Sequence, residues 1–228
     1  MINLPLSLFG IPIKGVNNPI LTAFIGFDAQ VKEGVDSPLL TDFKSLFKEA
    51  TGFECKVLLD ITGSPTPLSS SYIYLSELFF RKAIEKCELP LSEEEMWDTL
   101  KMIDDVLYNS PLIRALRTSM RMGSGILYRD GEDPIPVSLP EMSASLLFKY
   151  PIPNSPLFID NSLIHLLGIL PVEFAETKDL GLFNVENGLW NSLYKISIPS
   201  KDRWKLIWDL KYVTGIEVSF YFDNQQKS

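Results

Sequence analysis

Residues 56–87 constrain this chain more than any other stretch, because they run strand, small-residue loop, apolar helix. Val57, Leu58, Leu59 and Ile61 make a short run rich in branched side chains, which suits a buried strand. Gly63, Ser64, Pro65 and Pro67 continue neither regular structure. Ser69, Ser70 and Ser71 then stand where helix N-caps stand. Behind them Ile73, Leu75, Leu78, Phe79, Ala83 and Ile84 share an apolar side, and Tyr72, Tyr74 and Phe80 leave little polar surface before Arg81. Such a helix has to be covered on more than one face, so the rest of the chain must supply layers around it.

A strand that runs through a small-residue loop into a helix start also suits an anion. Free N–H groups and the positive end of the helix dipole meet a phosphate, and the hydroxyls of Thr66, Ser69, Ser70 and Ser71 add donors. The same pattern is equally an ordinary serine-capped connection that binds nothing. The pattern alone leaves both readings open.

With 228 residues, 46% of them hydrophobic, the chain can build a sizeable core in one large domain or two fused lobes. The net charge of −8, with acids spread along the chain, disfavours the basic face that non-specific nucleic-acid binding needs. A small anionic ligand stays open, since it needs only a local positive site. Cys55 and Cys87 lack metal spacing and are too few for a disulfide scaffold, so buried free thiols are expected. His165 is the single histidine and would have to serve alone in a zinc site or a Ser-His-Asp triad, which argues against both. No stretch of about 18 apolar residues occurs, and the N-terminus lacks a signal peptide's basic start. A soluble, cytoplasmic protein without membrane contact is the expectation.

In chain order, residues 3–9 predict a strand, with Pro5 at an edge or a strand start. Residues 21–31 predict a second, in which Gly26 marks a bulge or a close backbone approach. Ser37 and Pro38 open a helix that Thr51 and Gly52 close, and residues 53–61 form the strand feeding the loop. Ser92 and Glu95 make a capping box for a helix that ends near Asp104 and Asp105. Those two acids are either a solvated face or metal carboxylates. Arg114, Arg117 and Arg121 share one face of a helix over residues 111–122. Guanidinium groups bind phosphate or carboxylate in a bidentate way, or pair with nearby acids. Asp130 and Gly131 turn a hairpin over residues 123–137, and residues 145–150 form a strand before a Pro-rich boundary at 151–156. Beyond it, residues 159–167 predict a helix, 172–188 resist assignment, Ser200 caps a helix through 212, and 216–222 alternate as a strand.

This order resembles the N-terminal part of the GHMP small-molecule kinases, in which a Gly-Leu-Gly-Ser-Ser loop before a central helix cradles the ATP phosphates. Leu68, Ser70 and Ser71 match the Leu-Ser-Ser portion, while Pro67 and Ser69 stand in place of glycines. Pro67 has no N–H to donate, and Ser69 does not freely adopt positive φ. Met122, Gly123, Ser124 and Gly125 look like the family's glycine-rich hairpin opening. The catalytic Asp that active members carry shortly before it is missing; Ala115, Leu116 and Arg117 stand there.

The resemblance implies an α+β fold: a GHMP-kinase-like N-terminal domain over residues 1–153 and a shortened α+β C-terminal lobe over 154–228. It implies ATP-dependent phosphorylation of a small hydroxy acid. Thr66, Ser69, Ser70 and Ser71 would hold the nucleotide, Asp104 and Asp105 would hold Mg²⁺, and Arg117 and Asp105 would be catalytic. Residues 25–35, with Phe9 and Gly10, look most like the archaeal pantoate kinases of coenzyme A synthesis, with archaeal shikimate kinases second. The expected partners are a small anionic metabolite and, as an option, a second copy in a homodimer. The lost glycines and missing acid motivate the alternative, a kinase-like fold without catalysis that serves as a binding or regulatory protein. A third reading is an unrelated α+β protein whose loop only mimics the family.

Overall fold

The computed structural model describes residues 1–153, 159–199 and 201–221. Within them the chain is an α+β fold with one mixed seven-stranded sheet and a separate two-stranded ribbon. β1 (Ile2–Phe9) and β2 (Ile20–Phe27) pair antiparallel at the centre. Both carry apolar residues on both faces, and Leu4, Leu6, Leu8, Leu21, Ile25 and Phe27 are accordingly buried. β2 is the hub. Leu21 pairs with Phe9 on one edge and with Leu127 of β5 (Gly125–Tyr128) on the other. Gly26 pairs with Asn3 and, in parallel, with Ser143 of β7 (Glu141–Pro151). A Cβ on Gly26 would lie 3.0 Å from the Met1 sulfur and 3.2 Å from Asn3 Oδ1, the close approach its position suggested.

The strand expected over 21–31 divides at Asp28. Its first part is β2, and its second part is β3 (Ala29–Glu33), which leaves the main sheet to pair with β4 (Leu59–Gly63). The strand expected over 53–61 begins only at Leu59, since the residues before it face no partner strand and Phe53 and Leu58 stay exposed. A short 3-10 turn at Pro38–Leu40 leads into α1 (Thr41–Thr51), which ends on left-handed Gly52. The central helix α2 (Leu68–Lys86) is covered on several sides, with Tyr72, Ile73, Leu75, Phe79, Phe80 and Ala83 buried. Phe47 meets Phe79 and Phe80 edge-on at 5.2 and 4.9 Å, which locks α1 against α2. α3 (Glu93–Leu107) opens on a complete capping box: Glu95 N donates to Ser92 Oγ at 3.2 Å, and Ser92 N donates to Glu95 Oε2 at 2.8 Å. α4 (Pro111–Met122) stops at left-handed Gly123, and β5 then turns back as β6 (Ile135–Val137).

The C-terminal part departs most from expectation. Ser200 lies outside the described residues, and the helix expected through 212 is instead β8 (Trp204–Asp209), turning at Leu210 and Lys211 into β9 (Tyr212–Tyr221). Trp204, Ile207 and Trp208 have helical spacing, but Lys205, Leu206 and Asp209 are buried as well, so both faces are used. The aromatic and β-branched run of β9 suits a strand that continues the sheet beside β7. Residues 172–188 span the end of α5 (Asn161–Thr177), a left-handed break at Lys178, and most of α6 (Gly181–Tyr194). Pro171 inside α5 and two glycines in α6 blurred that pattern.

Residues 154–158, within the expected boundary, lie outside the described residues. The sheet itself runs through that boundary, since β7 before it pairs with β9 after it from Glu141 and Tyr221 to Pro151 and Tyr212. Cys55 and Cys87 are not free thiols: they form a disulfide, with Cα atoms 6.3 Å apart, that ties the approach to β4 to the end of α2.

Candidate functional site

The helix start marked for phosphate carries an anion of its own. Pro67 is the N-cap residue of α2, so the three serines fall inside the first turns instead of capping them. The cap is Asp209, at the end of β8. Its Oδ2 accepts from Leu68 N at 2.9 Å, and its Oδ1 accepts from Ser69 N and Ser69 Oγ, both at 2.7 Å. Thr214 Oγ1 also reaches Oδ2, at 3.3 Å. A carboxylate bonded to two N–H groups of a first turn occupies the place where a phosphate would sit. The other hydroxyls are no freer. Ser71 Oγ donates to Pro67 O at 2.8 Å and lies 2.7 Å from Thr66 Oγ1. Ser70 Oγ is fully buried and meets no partner among the described residues.

The expected acids and arginines come from α3 and α4, which pack side by side. Asp104 and Arg117 form a buried ion pair, Nε to Oδ2 at 2.7 Å and Nη2 to Oδ1 at 3.1 Å. The rest of the guanidinium donates to Ile73 O at 3.0 Å and Ser76 Oγ at 2.6 Å, and Tyr72 OH donates to Asp104 Oδ1 at 2.7 Å. Burial opposes the Arg117 charge, yet the Asp104 carboxylate overrides it and keeps the guanidinium above its ordinary range. Burial and then the Asp104 charge push the Tyr108 phenol up to about 12 and Tyr72 higher still. Asp105 turns the other way, to Arg114 Nη1 at 3.2 Å. Arg114 also grips Asp130 with two bonds, at 2.9 and 2.6 Å, and Tyr128 OH adds a third to Asp130 at 2.7 Å. These bonds, the Arg114 pair first, hold the Asp130 carboxyl below its usual range.

The two acids expected to share Mg²⁺ are thus each committed to a different arginine. Among the described residues no group of three or more His, Cys, Asp or Glu could hold a metal ion. The expected residues nevertheless line one cleft of about 620 Å³ between α3, α4 and the β5–β6 turn. Asp104, Asp105, Arg114, Arg117 and Arg121 all reach it, whereas Thr66 and the three serines do not. Lys101 and Arg121 are exposed there without an ionic partner among the described residues. Chemically the cleft sets these two cations above a floor in which Arg114 and Arg117 face Asp104, Asp105 and Asp130, and with Glu132 the lining is balanced in charge. His165 is exposed on α5.

Sequence reasoning missed Asp209, and with it Glu186 and Lys205. Glu186 of α6 and Lys205 of β8 form a second buried ion pair, and Glu186 Oε1 also accepts from Gly10 N at 2.8 Å. Burial lowers the Lys205 ammonium despite its partner. Asn187, beside Glu186, accepts from Leu206 N and donates to Trp204 O, both at 2.8 Å, which closes the open edge of β8. The available signal was Asp209 standing just before a two-residue break between two apolar runs, the mark of a hairpin. Compared with known proteins, the chain matches no family model and no curated protein. Among the described residues no helix is long and apolar enough to cross a membrane.

Proposed function

We propose that this chain is a binding or regulatory protein of GHMP-kinase-like arrangement, one that holds a small anionic metabolite and transfers no phosphoryl group. The observation that carries the reading is the Asp209 carboxylate on Leu68 N and Ser69 N, which fills the helix start a nucleotide phosphate would need. The metabolite would sit in the α3–α4 cleft, where Lys101 and Arg121 are exposed cations with no ion pair among the described residues. Nucleic acid is no partner in this reading, given the net charge of −8. A cytoplasmic setting fits if the disulfide is tolerated there, as it is in hyperthermophiles; elsewhere a disulfide belongs to an oxidising compartment.

The test is thermal unfolding with inorganic phosphate and pyrophosphate at constant ionic strength. A ligand that binds only the folded state must stabilise it. The wild type should gain melting temperature, and a Lys101→Glu/Arg121→Glu variant should not. An equal response in both would refute the assignment of the cleft.

A second reading is favoured by one observation, the convergence of Asp104, Asp105 and Arg117 on a single cleft. It is an ATP- and Mg²⁺-dependent kinase of a small hydroxy acid, pantoate first and shikimate second. It requires Asp209 to leave the α2 terminus and at least one acid to leave its arginine. Phosphoryl transfer from Mg-ATP to pantoate, assayed directly, would establish it.

A further inference from the structure

We infer that a cavity apart from the α3–α4 cleft, which the expected site residues do not reach, is a second binding site, for a small organic anion with an apolar body such as a branched or aromatic carboxylate. The cavity measures about 820 Å³, within the usual range of small-molecule pockets. It lies between the β1–β2 loop, the start of α4, the end of β7 and the β8–β9 turn.

Its walls are apolar where a ligand body would rest: Ile11, Ile13 and Ile20, all buried, line it together with Trp208 and Leu210. Several of its polar groups are donors. Asn18 Nδ2 is buried and meets no acceptor among the described residues, a cost that a ligand oxygen would remove. Lys14 on the loop and Lys211 on the turn have no ionic partner among the described residues. Ser110 and Pro111 open α4 at this cavity, and the Ser110 hydroxyl makes no capping bond.

The charge balance selects an anion. Among the described residues the one acid lining the cavity is Asp130, and its carboxylate is already bonded to Arg114 and Tyr128. In a chain of net charge −8, this cavity is locally cationic. The walls are also fixed in advance. Asn17 Nδ2 donates to Asp130 O at 2.8 Å, and Asp130 N donates to Asn17 Oδ1 at 3.2 Å, pinning the loop. Tyr194 OH donates to Pro12 O, and Ile152 N donates to Lys211 O at 2.8 Å. A site whose walls are tied before binding loses little entropy when it fills.

The probe is anilinonaphthalene sulfonate, an anion with an aromatic body whose fluorescence rises in apolar surroundings. Titrated into the folded protein, it should bind saturably at one site. A Lys14→Glu/Lys211→Glu variant should weaken binding about tenfold, equivalent to ~1.4 kcal/mol. A Lys101→Glu/Arg121→Glu variant should bind like wild type, which separates this site from the α3–α4 cleft. Equal affinity in the Lys14→Glu/Lys211→Glu variant, or no saturable binding, would overturn the inference.

Discussion

Replacing Asp209 by alanine tests the role of that residue where it is most exposed to failure. The carboxylate accepts three hydrogen bonds within 2.9 Å from the first turn of α2, two from N–H groups and one from Ser69 Oγ. Bonds to a charged group contribute about 1.5–3 kcal/mol each, and losing an N-cap alone costs about 0.5–2 kcal/mol. The full sum is not realised. Leu68 is only half-buried, so water replaces part of its loss, and removing a buried charge recovers some desolvation. A net loss of about 3 kcal/mol remains, or roughly 6–12 °C in melting temperature for a chain of this size. Urea denaturation followed by tryptophan fluorescence measures it. Asp209→Asn, which keeps one acceptor oxygen but no charge, should fall between the two. The variant also empties an anion site, so tens of millimolar sulfate should restore Asp209→Ala more than it stabilises wild type, against chloride of equal ionic strength. A loss below about 1 kcal/mol with no selective sulfate effect would refute the reasoning.

Three further outcomes follow from the same geometry. Ser70→Ala should be neutral or stabilising by up to about 1 kcal/mol, because the hydroxyl is buried without a partner and alanine is the better helix former; a clear destabilisation in urea would show that the hydroxyl has a partner. Asp104→Asn should cost about 3–5 kcal/mol, since it strands the buried Arg117 charge, and adding Arg117→Met should recover much of that loss; a double variant no better than the single would contradict it. Asp130 binds its proton more weakly folded than unfolded, so its contribution is complete above the ordinary carboxyl value of 3.8 and is lost as pH falls through the lower folded value. The stability gap between wild type and Asp130→Asn should therefore hold steady near neutrality and shrink below about pH 4, and a gap that stays constant in acid would count against the Arg114 pairing.

Much of the first half of the fold was legible because local chemistry and tertiary packing agree there. Ser92 and Glu95 name a capping box and form one, and the glycines at 52 and 123 end helices in left-handed conformations. The α2 stretch was legible as a buried helix for the same reason. What local pattern could not supply was partner choice. Trp204, Ile207 and Trp208 satisfy a helical period, and only pairing with β9, itself seated on β7, makes a strand of them. The candidate site divides along the same line. The three-residue spacing of Arg114 and Arg117 correctly put them on one helix, but which acid each takes depends on how α3 lies against α4. Asp209 is 140 residues from Ser69, and no spacing rule links a carboxylate to a helix start over that distance.

Whether Asp209 keeps nucleotide off the start of α2 is read by adding Mg-ATP to a Lys101→Glu/Arg121→Glu protein, in which the exposed cations of the α3–α4 cleft are reversed. Asp209 then remains on Leu68 N and Ser69 N, and melting temperature should not change at millimolar nucleotide. A saturable rise that survives those substitutions and disappears with Ser69→Ala would contradict it, because ATP would then be displacing Asp209 from the start of α2.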